Sequence, residues 1–205
     1  MRRKASPVSS SQDGGTNEAG DHPQTKGFID RIDNVYASAE NSDGFVDRAP
    51  RRTERHAHQW GDPRANPRFF VEDLHPGAPA TISLWDDLES VYAFAYYGRH
   101  AEALGKEKEW FVNSEWPFYV AWWAEDDHIP TRQDASQRLE HLHDHGSTPH
   151  AFDFKTPFDN VERPWRMNRG KFENVPKWSK SSTKTTRPGC NTGGHNLIDK
   201  AEPLA

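Results

Sequence analysis

Apolar positions recur at helical spacing from Phe28, through Ile32, Val35 and Tyr36 to Ala39, so this stretch predicts a helix of about four turns with one apolar stripe. Asp43–Arg48 follows as a turn and a short strand. Pro79–Trp85 (PATISLW) predicts a strand, and Asp86 or Asp87 can cap the helix that continues through Leu88, Val91, Tyr92 and Ala95, because a short side-chain oxygen meets free backbone amides there. Gly98 breaks that helix, and Arg99–Phe111 resumes as a second helical piece. Phe118–Ala124 (FYVAWWA) is apolar at every position, so neither face of this strand is left for water and both need cover. Thr131 opens a helix with Asp134 three residues on, a relative of the capping box. It carries Ala135, Leu139 and Leu142 inward and stops at Gly146. A last short strand, Ala151–Lys155, closes the patterned part.

The rest of the chain lacks such a pattern. Residues 1–26 read as a disordered leader of Ser, Gly, Asp and Pro, residues 49–78 as a long polar loop rich in Arg, His and Pro, and residues 159–205 as a disordered basic tail. The domain expected between the flanks spans residues 27–158. Its order of helix, strand, strand, helix, strand lacks only a first strand to be the split βαβ, or ferredoxin-like, arrangement, an α+β fold. With that strand missing or replaced and β-apolar residues on both faces of 118–124, a second copy of the chain is the expected cover, hence a homodimer.

Composition sharpens this picture in two ways. Only 33% of the 205 residues are hydrophobic and mean hydropathy is -1.01, so the core must be local, yet eight Trp and eleven Phe argue against a wholly disordered chain. The net charge of -5 also hides a gradient: residues 160–205 hold nine basic and four acidic side chains (+5), leaving 17 basic and 27 acidic (-10) before them. Basic residues around Trp165, Phe172 and Trp178 superficially suit single-stranded nucleic acid. A Ser-, Thr-, Pro- and Gly-rich tail is better read as solvated, so nucleic acid is not the expected partner. No apolar run reaches a membrane span of ~18 residues, and Met1–Gln12 has no apolar signal-peptide middle, so a cytoplasmic protein without a membrane partner is expected. Cys190 is the single cysteine, which excludes an intrachain disulfide and a cysteine metal cluster.

The segments ISLWDDLESVYAFAY, RHAEALGKEKEWF, FYVAWWAEDDHIPT and QRLEHLHDHGSTPHAFDF resemble, in order and spacing, the domain of unknown function 3291 family of the dimeric α/β barrel superfamily, over Gly27–Phe158. Two features depart from it: the leader stands where members carry an "LAQLN"-like first strand, and residues 49–78 replace a short link. The resemblance implies a ferredoxin-like dimeric α/β barrel. It also implies a small cofactor-independent enzyme of monooxygenase or cyclase/isomerase type, acting on an aromatic or polyketide-like metabolite in secondary metabolism. The rival is a non-catalytic dimeric small-molecule-binding protein, favoured by the apparent loss of the first strand and by the absence of a strong catalytic triad or metal motif.

Under that resemblance the expected site is an apolar cavity with a few polar groups. Tyr96 and His100, four apart on a helix, are the candidate catalytic pair, able to hold and deprotonate a phenol or enol. Trp85, Trp110, Trp122 and His128 are the candidate substrate-binding residues. The competing reading makes His100 a packing residue at the helix break and the tryptophans core. His141 and His145, four apart in HLHDH, have a spacing that metal sites use, but Glu140 precedes them instead of lying between them and no third ligand is indicated, so no metal is expected. Glu125, Asp126, Asp127 and His128 read as a solvated acidic turn, and Glu109 as a surface partner of Lys106. No cofactor is expected.

Overall fold

A computed structural model of the chain describes residues 4–10, 23–51, 58–70, 80–97, 100–101, 115–125, 128–166 and 168. Among these, the elements run β1 (Lys4–Ser10), α1 (Pro23–Glu40), β2 (Phe45–Arg48), a single 3-10 turn (His58–Trp60), β3 (Ala80–Trp85), α2 (Leu88–Tyr96), β4 (Tyr119–Ala124) and α3 (Arg132–His145). The strands form one antiparallel sheet in the order β2-β3-β1-β4. The chain is thus mixed α+β.

The leader is the first correction. Residues 4–10 are not an unstructured stretch but a strand, and it lies inside the sheet between β3 and β4. Val8 pairs with Ile82 of β3 on one side and with Val120 of β4 on the other. The sequence KASPVSS hides this because strand formation depends on pairing with neighbours more than on intrinsic preference. Pro7, opposite Ala121, also brings no N–H to the ladder, which argues against a central strand when residues are read one by one.

Helix boundaries follow their caps. Asp87 accepts a 2.7 Å hydrogen bond from the amide of Ser90 at the start of α2. Thr131 and Asp134 form a reciprocal capping box at the start of α3, and Gly146, at φ 71°, ends that helix. On α1, the Tyr36 ring carries Arg48 at 4.7 Å and Arg51 at 4.1 Å, which ties the helix to the chain around β2. None of the helices among the described residues is long and apolar enough to cross a membrane.

Alternation along the strands divides the core into two. Ile82, Val120 and Trp122 face one side, where Ala135, Leu139 and Leu142 of α3 cover them together with Ala49, Trp60 and Ala151. Trp85 and Ala121 face the other side, against Ala39 of α1, Leu88 and Val91 of α2, and Phe152. The chain itself therefore covers both faces of β4. A second copy is not needed as that cover, because α3 lays its own apolar stripe on one face of β4 while α1, α2 and Phe152 lie on the other.

Three further expectations change. The 49–78 stretch is not wholly a solvated loop: Trp60 is buried, Phe69 packs against the α3 side of the core, and Ser136 of α3 donates to the carbonyl of Ala65 at 3.0 Å. Residues 52–57 and 71–79 lie outside the described residues. At the other end, ordered chain continues past residue 159. Asp159 and Arg163 close a turn, and Trp165 packs on the α1–α2 side of the core with its amide donating to the carbonyl of Pro157 at 2.9 Å. The expected strand at 151–155 is reduced to a bridge between Ala121 and Phe152, followed by bends. The proposed helical piece over 99–111 lies mostly outside the described residues, with His100 and Ala101 helical.

Candidate functional site

The residues expected to line one cavity are not brought together. Trp85 and Trp122 are 0% and 1% exposed and sit on opposite faces of the same sheet, so the sheet separates them. Trp85 is wedged between Phe45, edge-on at 5.4 Å, and Phe94, stacked at 5.2 Å, and its indole N–H donates to Ser83 Oγ at 2.8 Å. Trp122 lies under the guanidinium of Arg138, 4.9 Å from its ring centre. Both are core residues, the role that the competing reading gave them. Trp110 lies outside the described residues.

Tyr96 and His100 do not share a helix face. The helix α2 ends at Tyr96, and Tyr97 is extended at φ -128° and ψ 160°, so a four-residue spacing across it no longer sets two side chains in line. The His100 ring lies 4.6 Å from Phe94, and its Nδ1 lies 3.0 Å from the carbonyl of Ala95. A carbonyl only accepts, so Nδ1 carries the proton in this bond and Nε2 is left with the lone pair. Burial pushes the His100 imidazolium below its ordinary pKa, and the bond to Ala95 opposes this in part. The group is a neutral histidine packed beside Phe94.

Tyr96 joins a different set of rings. It is 41% exposed and lies 4.4 Å from Tyr92, one turn earlier on α2, with Phe154 edge-on at 5.9 Å. Tyr119, at the start of β4, stacks on Phe154 at 5.4 Å. The antiparallel bridge Ala121↔Phe152 fixes this pair, since stepping two residues along each strand in opposite directions sets Tyr119 opposite Phe154. The Tyr119 hydroxyl accepts the amide N–H of Phe154 at 3.1 Å and also bonds to the Tyr96 phenol. Burial, then the neighbouring Tyr96, drive the Tyr119 phenol far above its ordinary pKa, against the Phe154 amide, so it stays protonated. Four rings thus run from an exposed tyrosine to a half-buried phenol. Sequence reasoning singled out Tyr96 alone. The spacing of Tyr92 and Tyr96 was a usable signal, whereas nothing local relates Tyr119 to Phe154.

His128 lies elsewhere again, at the N-terminal end of α3. It is exposed, and its Nε2 is 3.2 Å from Asp134 Oδ2. That carboxylate also accepts from the Thr131 amide at 2.8 Å and the Thr131 hydroxyl at 2.9 Å. Burial would raise Asp134, but the bonds from Thr131 and His128 and the charge of Arg138 outweigh it and hold the carboxyl below its ordinary pKa. His128 therefore extends a helix cap and lines no cavity with the tryptophans.

Farther along α3, the HLHDH run splits between two sides of the helix. His143 faces Phe69 at 5.3 Å and bonds to Asp144, which also pairs with Arg68. His141 instead meets His145 at 4.6 Å and His150 at 4.9 Å between ring centres, and its Nε2 is 2.9 Å from Thr148 Oγ1. Among the described residues no three His, Cys, Asp or Glu side chains are grouped so that they could hold a metal ion. The grouping with His150 was not foreseen, because His150 comes from the turn after the helix.

Comparison with known proteins gives one family. The model of the family described as Domain of unknown function (DUF3291) matches residues 13–167, most of the chain, and the chain belongs to that family. Its match runs from ahead of α1 to beyond Trp165, which agrees with ordered chain on both sides of the 27–158 limits. No curated protein and no solved structure matches the chain.

Proposed function

We propose that the protein is a small-molecule-binding domain of ferredoxin-like architecture that takes a planar aromatic ligand with a hydrogen-bonding group, such as a phenol, on the Tyr92–Tyr96–Phe154–Tyr119 ring cluster. The architecture is supported by the sheet order β2-β3-β1-β4, in which β3 separates β1 from β2 as in a split βαβ unit. The binding role is carried by one observation: Tyr96 is 41% exposed while its ring and hydroxyl are already held by Tyr92, Phe154 and Tyr119. A tyrosine fixed in this way offers an apolar face and a polar edge at little further entropic cost. A ligand ring stacking there could exchange hydrogen bonds with the Tyr96–Tyr119 pair.

Binding without catalysis fits better than an oxygenase or cyclase mechanism. Proton abstraction by His100 from a ligand held by Tyr96 needs both groups on one reacting centre, and the two have different ring neighbours. The chain's own cover of both sheet faces also means that this reading needs only one copy.

The test is ligand-observed NMR with a set of phenols and of saturated alcohols of matched size. Phenols are expected to bind preferentially, and Tyr96→Ala to lose that binding while its circular dichroism spectrum stays that of wild type. Equal binding of saturated alcohols, or undiminished phenol binding by Tyr96→Ala, would refute the reading.

A further inference from the structure

We propose a second site, between the C-terminal half of α3 and the Thr148–Ala151 turn, in which Arg138, His141, His150 and the Thr148 hydroxyl bind a tetrahedral oxyanion of the phosphate class. The argument begins with Arg138. Its guanidinium lies over Trp122, 4.9 Å from the ring centre, a contact that restrains it. Its Nε is buried and has no hydrogen-bond partner among the described residues, its Nη1 reaches the Asp134 carbonyl at only 3.5 Å, and the Asp134 carboxylate is 4.0 Å away. That carboxylate is already shared by the Thr131 amide and hydroxyl and by His128. A restrained guanidinium with donors to spare is the group that best matches an oxyanion.

His141 and His145 follow Arg138 on the same face of α3, one and two turns on. His141, His145 and His150 crowd together within 4.6 and 4.9 Å of one another's rings through His141, with Thr148 Oγ1 at 2.9 Å from His141. The groups that meet here are Arg138, His141 and His145 on α3 and His150 and Thr148 on the following turn, with Asp134, which carries His128, beside Arg138. Asp153 lies beyond, engaged by Ser147 and by the amides of Lys155 and Thr156. Asp134 is the carboxylate that lies beside Arg138, at 4.0 Å. Burial and the positive charge of Arg138, followed by His141, hold the His150 imidazolium below its ordinary pKa. A bound dianion reverses the unfavourable charge, so anion and proton uptake must favour each other by linkage.

Sulfate is the probe, because it stays a dianion as the histidines titrate. Histidine ring resonances of the full chain are followed by NMR while sulfate is added at pH 7.5 and at pH 5.5, with chloride holding the ionic strength constant. The expected result is a shift of the His141 and His150 signals, tighter binding at the lower pH, and a rise in the His150 titration midpoint with sulfate. His150→Gln should weaken sulfate by ~5- to 10-fold at pH 5.5, as the loss of one partly exposed charged hydrogen bond implies, and should flatten the pH dependence. Arg138→Gln should abolish binding. If its loss of stacking unfolds it, Arg138→Lys serves instead, keeping the charge and losing the fixed fork, with weaker binding expected. Inorganic phosphate and glycerol phosphate, compared at pH 6, separate a free ion from an organic monoester as the preferred form. Sulfate shifts that are absent, that spread equally over histidines away from the cluster, or that persist unchanged in His150→Gln would overturn the site.

Discussion

Leu139 tests whether α3 is the intrinsic cover of the sheet. Its side chain is 1% exposed and packs among Trp60, Ile82, Val120, Trp122 and Leu142. Leu139→Ala removes three buried carbons, worth ~2.4 kcal/mol at ~0.8 kcal/mol each. The cavity left in a core that cannot fully collapse adds to this, so the expected loss is about 3 kcal/mol, within the range of ~2 to 5 for such truncations. For a chain of this size that is a fall of roughly 6 to 12 °C in Tm. Urea unfolding of wild type and variant, each at two protein concentrations a hundredfold apart, measures it, with exposed Gln137→Ala on the same helix as the control, expected within ~0.5 kcal/mol of wild type. A loss below ~1 kcal/mol would refute the packing of α3 on the sheet. A wild-type midpoint that climbs with concentration would return part of the cover to a second copy.

Gly44, at φ +75°, precedes β2, and a Cβ built there would lie 2.3 Å from Ser90 Oγ and 2.7 Å from Ser90 Cβ. Gly44→Ala should cost about 1 to 3 kcal/mol in the same unfolding assay, and adding Ser90→Gly should recover the steric share but not the backbone share. Tyr119 has a folded pKa above its unfolded value, so its contribution is complete below the unfolded pKa of ~10 and is lost as pH rises beyond it. Wild type should therefore lose stability on the alkaline side of ~10 more steeply than Tyr119→Phe, and parallel pH curves would show that the phenol is not shielded.

The elements that the sequence announced were those whose signals are local. The capping residues Asp87, Thr131 and Asp134, the stop at Gly146, and the stripe of α3 all work within one or two helical turns, and each appears in the structure, as does the helix α1. What was missed depends on residues far apart in the chain. β1 has little apolar pattern and exists through its pairing with β3 and β4. The ring cluster needs the Ala121↔Phe152 bridge, and the histidine cluster needs the turn that carries His150 back to α3. The Tyr96–His100 pair failed for the opposite reason, since a helical rule was carried across Tyr97, where the helix has ended.

The all-apolar strand β4 left two solutions open, cover from within the chain or from a second copy, and the sequence held the means to choose between them. Two apolar surfaces lay unassigned: one face of β4, and the Ala135–Leu139–Leu142 stripe of α3. Each is costly in water, and a connection as short as Glu125–Thr131 brings them together before any encounter between chains. Closing a short loop costs little conformational entropy, whereas association of two chains also forfeits translational and rotational freedom. The intrachain solution should therefore win wherever geometry permits, and Val120 and Trp122 lie under α3 at 0% and 1% exposure. An apolar strand face argues for a partner only after the amphipathic elements of its own chain have been assigned elsewhere.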